Sequence, residues 1–433
     1  MNNKNLITGL ALLGLSLACA AQEQETWSAH FQSTYIWQKK PSLSSPYAGP
    51  NSLRGEPEKS YSFTGTAALG LRLGRSTEAY LDPEVAQGMP ISGLLGLAGF
   101  SNGELAKTSG SNPKFYMARF FVRHTVELGG EAQPVESSAN QLAGTAAPKR
   151  LVLTAGTLSL LDIFDANSYA HDPRTQFMNW AFMTHAAYDY PADSRGYTYG
   201  AVAEYIDDGW ALRAARFAVP EEPNQLQLDH RLFKHYGDQV ELSRDYDIAG
   251  QTGTVRLLAF RMKAVMAGYA EALSAPGATP TLDAVRNQER VKWGAGVNVE
   301  HRISDDLGLF LRAFRADGKT ETYAFIEADR SASLGAQLKG TAWSRGADVI
   351  GIGLAASSIS ADHRSFLARG GQTFFLGDGR LRYAPERDFE VYYRAELAKG
   401  LQVTADAQQI RNPGYNADRG PALFYALRLH WEN

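Results

Sequence analysis

Residues 422–431 read ALFYALRLHW, and they alternate. Leu423, Tyr425, Leu427, Leu429 and Trp431 fall on one face of an extended segment, with Phe424, Ala426, Arg428 and His430 on the other. The same two-residue period returns in VKWGAGVNVE, where Val291, Trp293, Ala295, Val297 and Val299 oppose Lys292, Gly294, Gly296, Asn298 and Glu300. In FEVYYRAEL, Phe389, Val391, Tyr393, Ala395 and Leu397 oppose Glu390, Tyr392, Arg394 and Glu396. YSFTGTAALGLRL and YTYGAVAEY repeat it, with Arg72 and Glu204 on their polar faces. Alternation of this length gives every strand one apolar and one polar side, so the chain reads as all-β.

A soluble sandwich would alternate in the same way. Two features favour a closed membrane wall instead. Aromatic residues recur at strand ends (Trp27, Trp37, Tyr61, Tyr116, Tyr197, Tyr205, Trp210, Trp293 and Trp431), the pattern of girdles at two lipid interfaces. The connections also alternate in length. Short turns fall at 74–76, 207–209, 304–306 and 399–400, and long connections around 38–59, 88–113, 159–195, 264–289 and 357–387. The spacing predicts a transmembrane antiparallel β-barrel of about sixteen strands, with long extracellular loops and both termini on the periplasmic side. The connection 129–149 is long where a short turn is due. It is either one long periplasmic turn or a hidden strand pair, which would raise the count to eighteen.

No apolar stretch after the first twenty residues approaches the 18 or so that a membrane helix needs, but a membrane strand needs only about 9–11. The first residues have the layout of a secretory leader: Lys4, an apolar run from Leu6 to Ala18, and small residues at 18–20. The expected division is a cleaved signal peptide over 1–20 and one domain over 21–433. Cys19, the only cysteine, offers a lipidation site as the rival reading, although Ser16 stands where such signals favour leucine. Without Cys19 the mature chain has no thiol chemistry and no disulfides. The formal net charge of −3 carries no basic stripe, which argues against a nucleic-acid partner.

Three stretches carry a resemblance. YLDPEVAQGMPISGLLGLAGFSNGELAK (80–107), DIFDANSYAHDPRTQFMNW (162–180) and IRNPGYNADRGPALFYALRLHWEN (410–433) resemble the OprB-like carbohydrate-selective porin family of Gram-negative outer membranes. The likeness covers essentially all of the mature chain. It implies a single-chain barrel that passes small carbohydrates by facilitated diffusion, with outer-membrane lipid and the assembly machinery as its other partners. One departure is that two polar residues, Glu432 and Asn433, follow the last aromatic, Trp431. Homotrimer formation stays open, because outward faces that meet lipid and faces that meet a neighbour read alike.

A barrel this wide needs a narrowing to be selective. The connection 159–195 is the candidate to fold inward, since it concentrates hydrogen-bonding groups and flat rings. Asp162, Asp165, Asn167, His171, Asp172, Arg174, Gln176 and Asn179 could meet sugar hydroxyls, with Trp180 or Tyr169 against the C–H face. In FYMARFFVRHTV the alternation sends Tyr116, Ala118, Phe120 and Val122 outward and Arg119 and Arg123 into the lumen, facing the loop carboxylates. Glu84 points inward on the preceding strand. The 88–113 connection, apolar at Leu94, Leu95, Leu97 and Phe100, reads as a second plug element. The alternative for each charged residue is cross-lumen pairing that merely holds loops down.

Other functions find less support. Gly99-Phe100-Ser101-Asn102-Gly103 matches G-x-S-x-G but lacks the strand-to-helix elbow. Gly351-Ile352-Gly353-Leu354-Ala355-Ala356 imitates a dinucleotide fingerprint within a strand. The nine histidines show no paired ligand spacing, so neither metal nor cofactor is expected. A barrel selective for an organic acid or polyol remains the alternative, and an outer-membrane enzyme or adhesin a more distant one.

Overall fold

The computed structural model describes residues 24–105 and 107–433. The expected leader over 1–20, with Cys19, lies outside them. The chain opens with strands β1 (Trp27–Lys40), β2 (Glu58–Gly74), β3 (Thr77–Met89) and β4 (Lys114–Gly129). A small hairpin follows, β5 (Gln133–Val135) and β6 (Gly144–Ala146). The wall resumes with β7 (Lys149–Leu158), β8 (Thr198–Asp207), β9 (Trp210–Phe217), β10 (Tyr236–Ile248) and β11 (Gln251–Val265). It continues through β12 (Glu289–Arg302), β13 (Leu307–Ala316), β14 (Arg330–Gly340) and β15 (Arg345–Ser358). The last strands are β16 (Glu386–Ala398), β17 (Leu401–Arg411) and β18 (Ala422–Glu432). Short helices α1 (Trp180–Met183), α2 (Tyr269–Ser274) and α3 (Ala361–Ala368) lie in the loops.

All strands except β5 and β6 form one closed antiparallel ring of sixteen. β1 closes on β18 from Gln32↔Glu432 to Lys39↔Tyr425, so the ring leaves no open edge. The four short turns read from the sequence fall between β2 and β3, β8 and β9, β12 and β13, and β16 and β17. The 129–149 connection contains a strand pair after all, but its three-residue strands are too short to cross a bilayer. They pair with each other and stay out of the wall.

Burial is inverted relative to a soluble protein. Leu71, Phe120, Leu257, Leu311, Leu354 and Leu427 are exposed on the outer face, where lipid would cover them. Trp27 (66 % exposed) and Trp293 (55 %) stand outward near the rims. The hydrophobic core lies inside the ring, where loops pack on one another and on inward-facing strand residues such as Phe260, Phe310 and Phe314. Leu94, Leu97 and Phe100 of the 90–113 connection pack there with Phe164, Phe177 and Phe182 of 159–197, and with Phe325 and Phe375. Gly351 and Gly353 of the fingerprint-like stretch make room for these rings: a Cβ at Gly351 would collide with Tyr392, and one at Gly353 would come within 2.8 Å of Phe182.

Three inside-or-outside assignments are corrected. A register shift in the β3–β4 pairing sets Asp82 opposite Arg119 but Pro83 opposite Met117. The extra residue, Ala118, changes the parity of β4 on its extracellular side. Phe120 and Val122 do face outward, but Ala118 is buried and Tyr116 turns into the lumen, where its hydroxyl donates to Glu84. Tyr197 likewise is not a girdle residue. It ends the inward loop, and its hydroxyl also reaches Glu84 (3.2 Å).

Candidate functional site: a charged constriction

The inward loop is fixed by the wall through its backbone. Glu390 on β16 accepts from the N–H groups of Met178 and Asn179, Glu241 on β10 from Asp165, and Glu300 on β12 from Ser168. Arg428 on β18 donates to the carbonyls of Pro173 and Gln176 (2.6 and 2.8 Å). A loop inside a lumen must satisfy its peptide groups without bulk water, and inward-facing charged side chains supply the partners. Glu386 does the same for the 90–113 connection, accepting from Ala98 and Gly99.

Several residues read from the sequence as candidate sugar contacts serve as anchors. Asp165 is fully buried, with Arg312 at 3.1 Å, Asn298 at 2.6 Å and the Thr184 hydroxyl at 2.6 Å. Burial would raise its pKa, but Arg312 and His185 with these hydrogen bonds bring it down to about 2. Asn167 donates to Asn298 (2.8 Å). Asn179 caps α1 by accepting from Ala181 N–H, and Gln176 accepts from His171 and Asp172 N–H. His171 Nδ1 lies 3.2 Å from the Met183 carbonyl. Trp180 is 6 % exposed, stacked on Phe325 with ring centres 5.3 Å apart and edge-on to Phe100. Tyr169 gives its N–H to the Asn167 side chain.

A second group lines open space. A cavity of about 1620 Å³ opens to the periplasmic rim, where Arg75, Ser76, Lys399 and Gly400 line it. A smaller one of about 320 Å³ lies among the extracellular loops, bounded by Lys107, Ser194, Arg195 and Tyr197. Arg119, Asp162, Asp172 and Arg174 line both, which places them at the boundary between the two chambers. Arg123 faces only the periplasmic chamber, and Glu84, His171 and Trp180 only the outer one.

The charges at this boundary form a connected ladder rather than two banks facing across water. Arg119 donates to Asp162 (2.6 and 2.7 Å) and reaches Asp82 at 3.4 Å. Arg174 pairs with Glu104 (2.7 Å) and Glu84 (3.3 Å). The Tyr197 ring joins the two pairs, with the Arg119 guanidinium 5.3 Å over it and its hydroxyl on Glu84. The loop packs directly against β3 and β4, so its carboxylate touches the wall arginine. Asp82, Glu104, Tyr116 and Tyr197 were missed by sequence reasoning. Asp82 could have been found from its parity with Glu84 on β3, whereas Glu104 carries no sequence signal.

In this ladder each guanidinium is paired with two carboxylates, and Asp172 beside it accepts from Arg174 N–H and the Thr175 hydroxyl. A passing ion would have to break a charge-assisted pair, whereas a hydroxyl can donate to a carboxylate and accept from a guanidinium while both stay paired. Ser101, the serine of the G-x-S-x-G imitation, donates to Gln38, and its hydrogen-bond partners among the described residues include no histidine.

A closed ring of sixteen strands with an inverted apolar surface and a lumen narrowed by ion-paired loops defines an outer-membrane porin, a channel. The chain belongs to the carbohydrate-selective porin, OprB family, whose model matches residues 62–432. Among solved structures it is similar to Pseudomonas putida OprB in a high-pH structure, with a TM-score of 0.71, 15 % identity and 94 % of each chain covered. It is also similar to the outer membrane channel DcaP of Acinetobacter baumannii, with a TM-score of 0.51, 8 % identity, and 94 % of this chain and 97 % of that one covered. At these identities the likeness speaks for the fold. No curated protein matches the chain in sequence.

Proposed function

We propose that this porin passes small neutral carbohydrates by facilitated diffusion, and that Arg119, Asp162, Asp172, Arg174 and Glu84 form the narrow point they cross. The observation that carries the reading is the paired ladder at the junction of the two chambers, where donors and acceptors alternate and each guanidinium is shared between two carboxylates. With Lys107 charged, the four chamber-lining cations Arg119, Arg174, Arg195 and Lys107 stand against the five carboxylates Glu84, Glu104, Asp162, Asp172 and Asp193, a near balance with a small acidic excess. Tyr116 and Tyr197 supply the flat rings beside it. Export by the leader over 1–20 and insertion by the outer-membrane assembly machinery complete the reading.

The test is single-channel conductance in a planar bilayer, titrated with mono- and disaccharides and then with small organic anions. Saturable block by a sugar at millimolar levels, about −4 kcal/mol of binding, is expected. Block by anions alone would replace the solute while leaving the channel in place.

A further inference from the structure

The periplasmic connection between β4 and β7 does not hang below the barrel. It turns upward, and its tip, residues 136–143, lies inside the lumen. Asn140 is the residue that reaches furthest. Its Nδ2 donates to Asp82 Oδ2 (2.8 Å), the same oxygen that Arg119 approaches at 3.4 Å. Its carbonyl accepts from Arg123 Nη1 (2.9 Å). A left-handed backbone at Asn140 (φ +61°) lets one residue present both groups, a conformation asparagine tolerates better than most.

The rest of the tip is tied to the inner wall at independent points. Leu142 is buried, and its N–H donates to the Tyr80 hydroxyl (3.2 Å). Arg72 on β2 donates to the Ala143 carbonyl (3.1 Å). Glu25, just before β1, accepts from Ser137 (2.7 Å) and from Ala143 N–H (2.8 Å). Within the tip, Ser138 and Gln141 exchange backbone hydrogen bonds at 3.0 Å. Ser138, Ala139 and Gln141 then face the periplasmic chamber. A mere surface turn would need neither the inward fold nor partners on β2, β3 and β4.

We propose that this inward hairpin is the periplasmic half of the selectivity filter, and that Asn140 is a positioning residue that holds Asp82 and Arg123 in register with Arg119. The outer loops narrow the lumen from above and the hairpin from below, so the channel has two filters that meet at Arg119. This rests on the channel and not on which solute it carries.

The experiment compares the full-length protein with two variants in bilayers of known orientation. In one, residues 131–147 are replaced by Asn-Gly, which keeps the Gly129↔Lys149 pairing. The other is Asn140→Gly, which keeps the backbone conformation and the carbonyl but removes the amide. The hairpin deletion is expected to raise conductance about twofold and to admit larger neutral polymers added from the periplasmic side, with exclusion from the outer side unchanged. Asn140→Gly is expected to shift the reversal potential in a KCl gradient toward cations, because Asp82 loses a donor, at nearly unchanged thermal stability. A folded deletion variant with unaltered conductance and polymer exclusion overturns the filter, and an unaltered reversal potential in Asn140→Gly overturns its positioning role. Should the deletion variant fail to fold, Ser138→Cys treated with a bulky thiol reagent from the periplasmic side decides. A fall in conductance places the tip in the conduction path, and no fall removes it.

Discussion

Arg119 sits between carboxylates of two origins: Asp162 of the inward loop holds its Nε and Nη2 at 2.7 and 2.6 Å, and Asp82 of the neighbouring strand lies 3.4 Å from Nη1. One guanidinium thus fastens loop to wall and is shared between both acids. Arg119→Ala should widen the narrow point, raise conductance about twofold and weaken sugar block about tenfold, or 1.4 kcal/mol. Arg119→Lys should not rescue it, since an ammonium cannot present the same planar fork to both acids. If conductance and block both survive in Arg119→Ala, the narrow point lies elsewhere.

The pair Asp165–Arg312 anchors the middle of the same loop, and both side chains are buried. Arg312→Ala strands a buried carboxylate, so it should cost about 3–5 kcal/mol and release the loop. The loss would be read as a lower melting temperature of the β spectrum together with noisier open-channel current. Asp165→Asn keeps an acceptor for Thr184 and His185 N–H and should cost less. Acid sensitivity has a definite sign. The folded carboxyl sits at about 2, below its ordinary 3.8, so the stability it adds is complete above about pH 4 and is lost as pH falls towards 2. An Arg312→Ala barrel as stable as the parent would remove this anchor from the account.

The wall was legible in the sequence because its signal is local. Trp293 outward and Lys292 inward follow from alternation alone, and Asp207-Asp208-Gly209 announces its turn. Tyr116 was misread because a single bulge at Ala118 reverses parity, and a bulge leaves no mark in a two-residue period. The loop was legible as an inward, polar segment, but the division of labour within it was not. Glu390 can be read as an inward acid, yet its partners are the N–H groups of Met178 and Asn179, which any non-proline residues would provide. Asp162 and Asp165 look equivalent in the sequence. They part company because one meets Arg119 at the edge of a cavity and the other meets Arg312 in the core.

Trp180 is one of the two aromatics read from the sequence as a sugar platform, and its ring is already engaged. Phe325 stacks on it at an interplanar angle of 4°, Lys107 Nζ lies 5.8 Å from the ring centre, and its Nε1 donates to the Asn102 carbonyl (3.0 Å). Trp180→Ala should therefore lower stability by about 3–5 kcal/mol, as for other large-to-small core changes, and leave the sugar affinity of the open channel nearly intact. Tyr197→Ala should show the opposite balance, weakening sugar block with a smaller loss of stability. Reversed outcomes in a thermal melt and a block titration would put the sugar on the indole.

Lys107 gives the outer chamber a charge that changes near neutrality. Its ammonium donates to the Asn224 side chain and the Ala324 carbonyl and lies 5.2 Å from the Phe375 ring centre. Burial pulls its pKa down from 10.5 to about 7, and Asp189, Glu327 and Asp193 offset that only in part. Below pH 7 the chamber carries the extra positive charge, and above it the charge is gone. The cation-to-anion permeability ratio, measured as a reversal potential in a KCl gradient, should therefore rise between pH 6 and pH 8. His171, on the same chamber, is pushed below its ordinary 6.5 by burial and Arg312. Lys107→Met removes the charge at every pH and should give a ratio that is high and flat across the window. A flat profile in the parent, or a slope that persists in Lys107→Met, would assign the titration to another group.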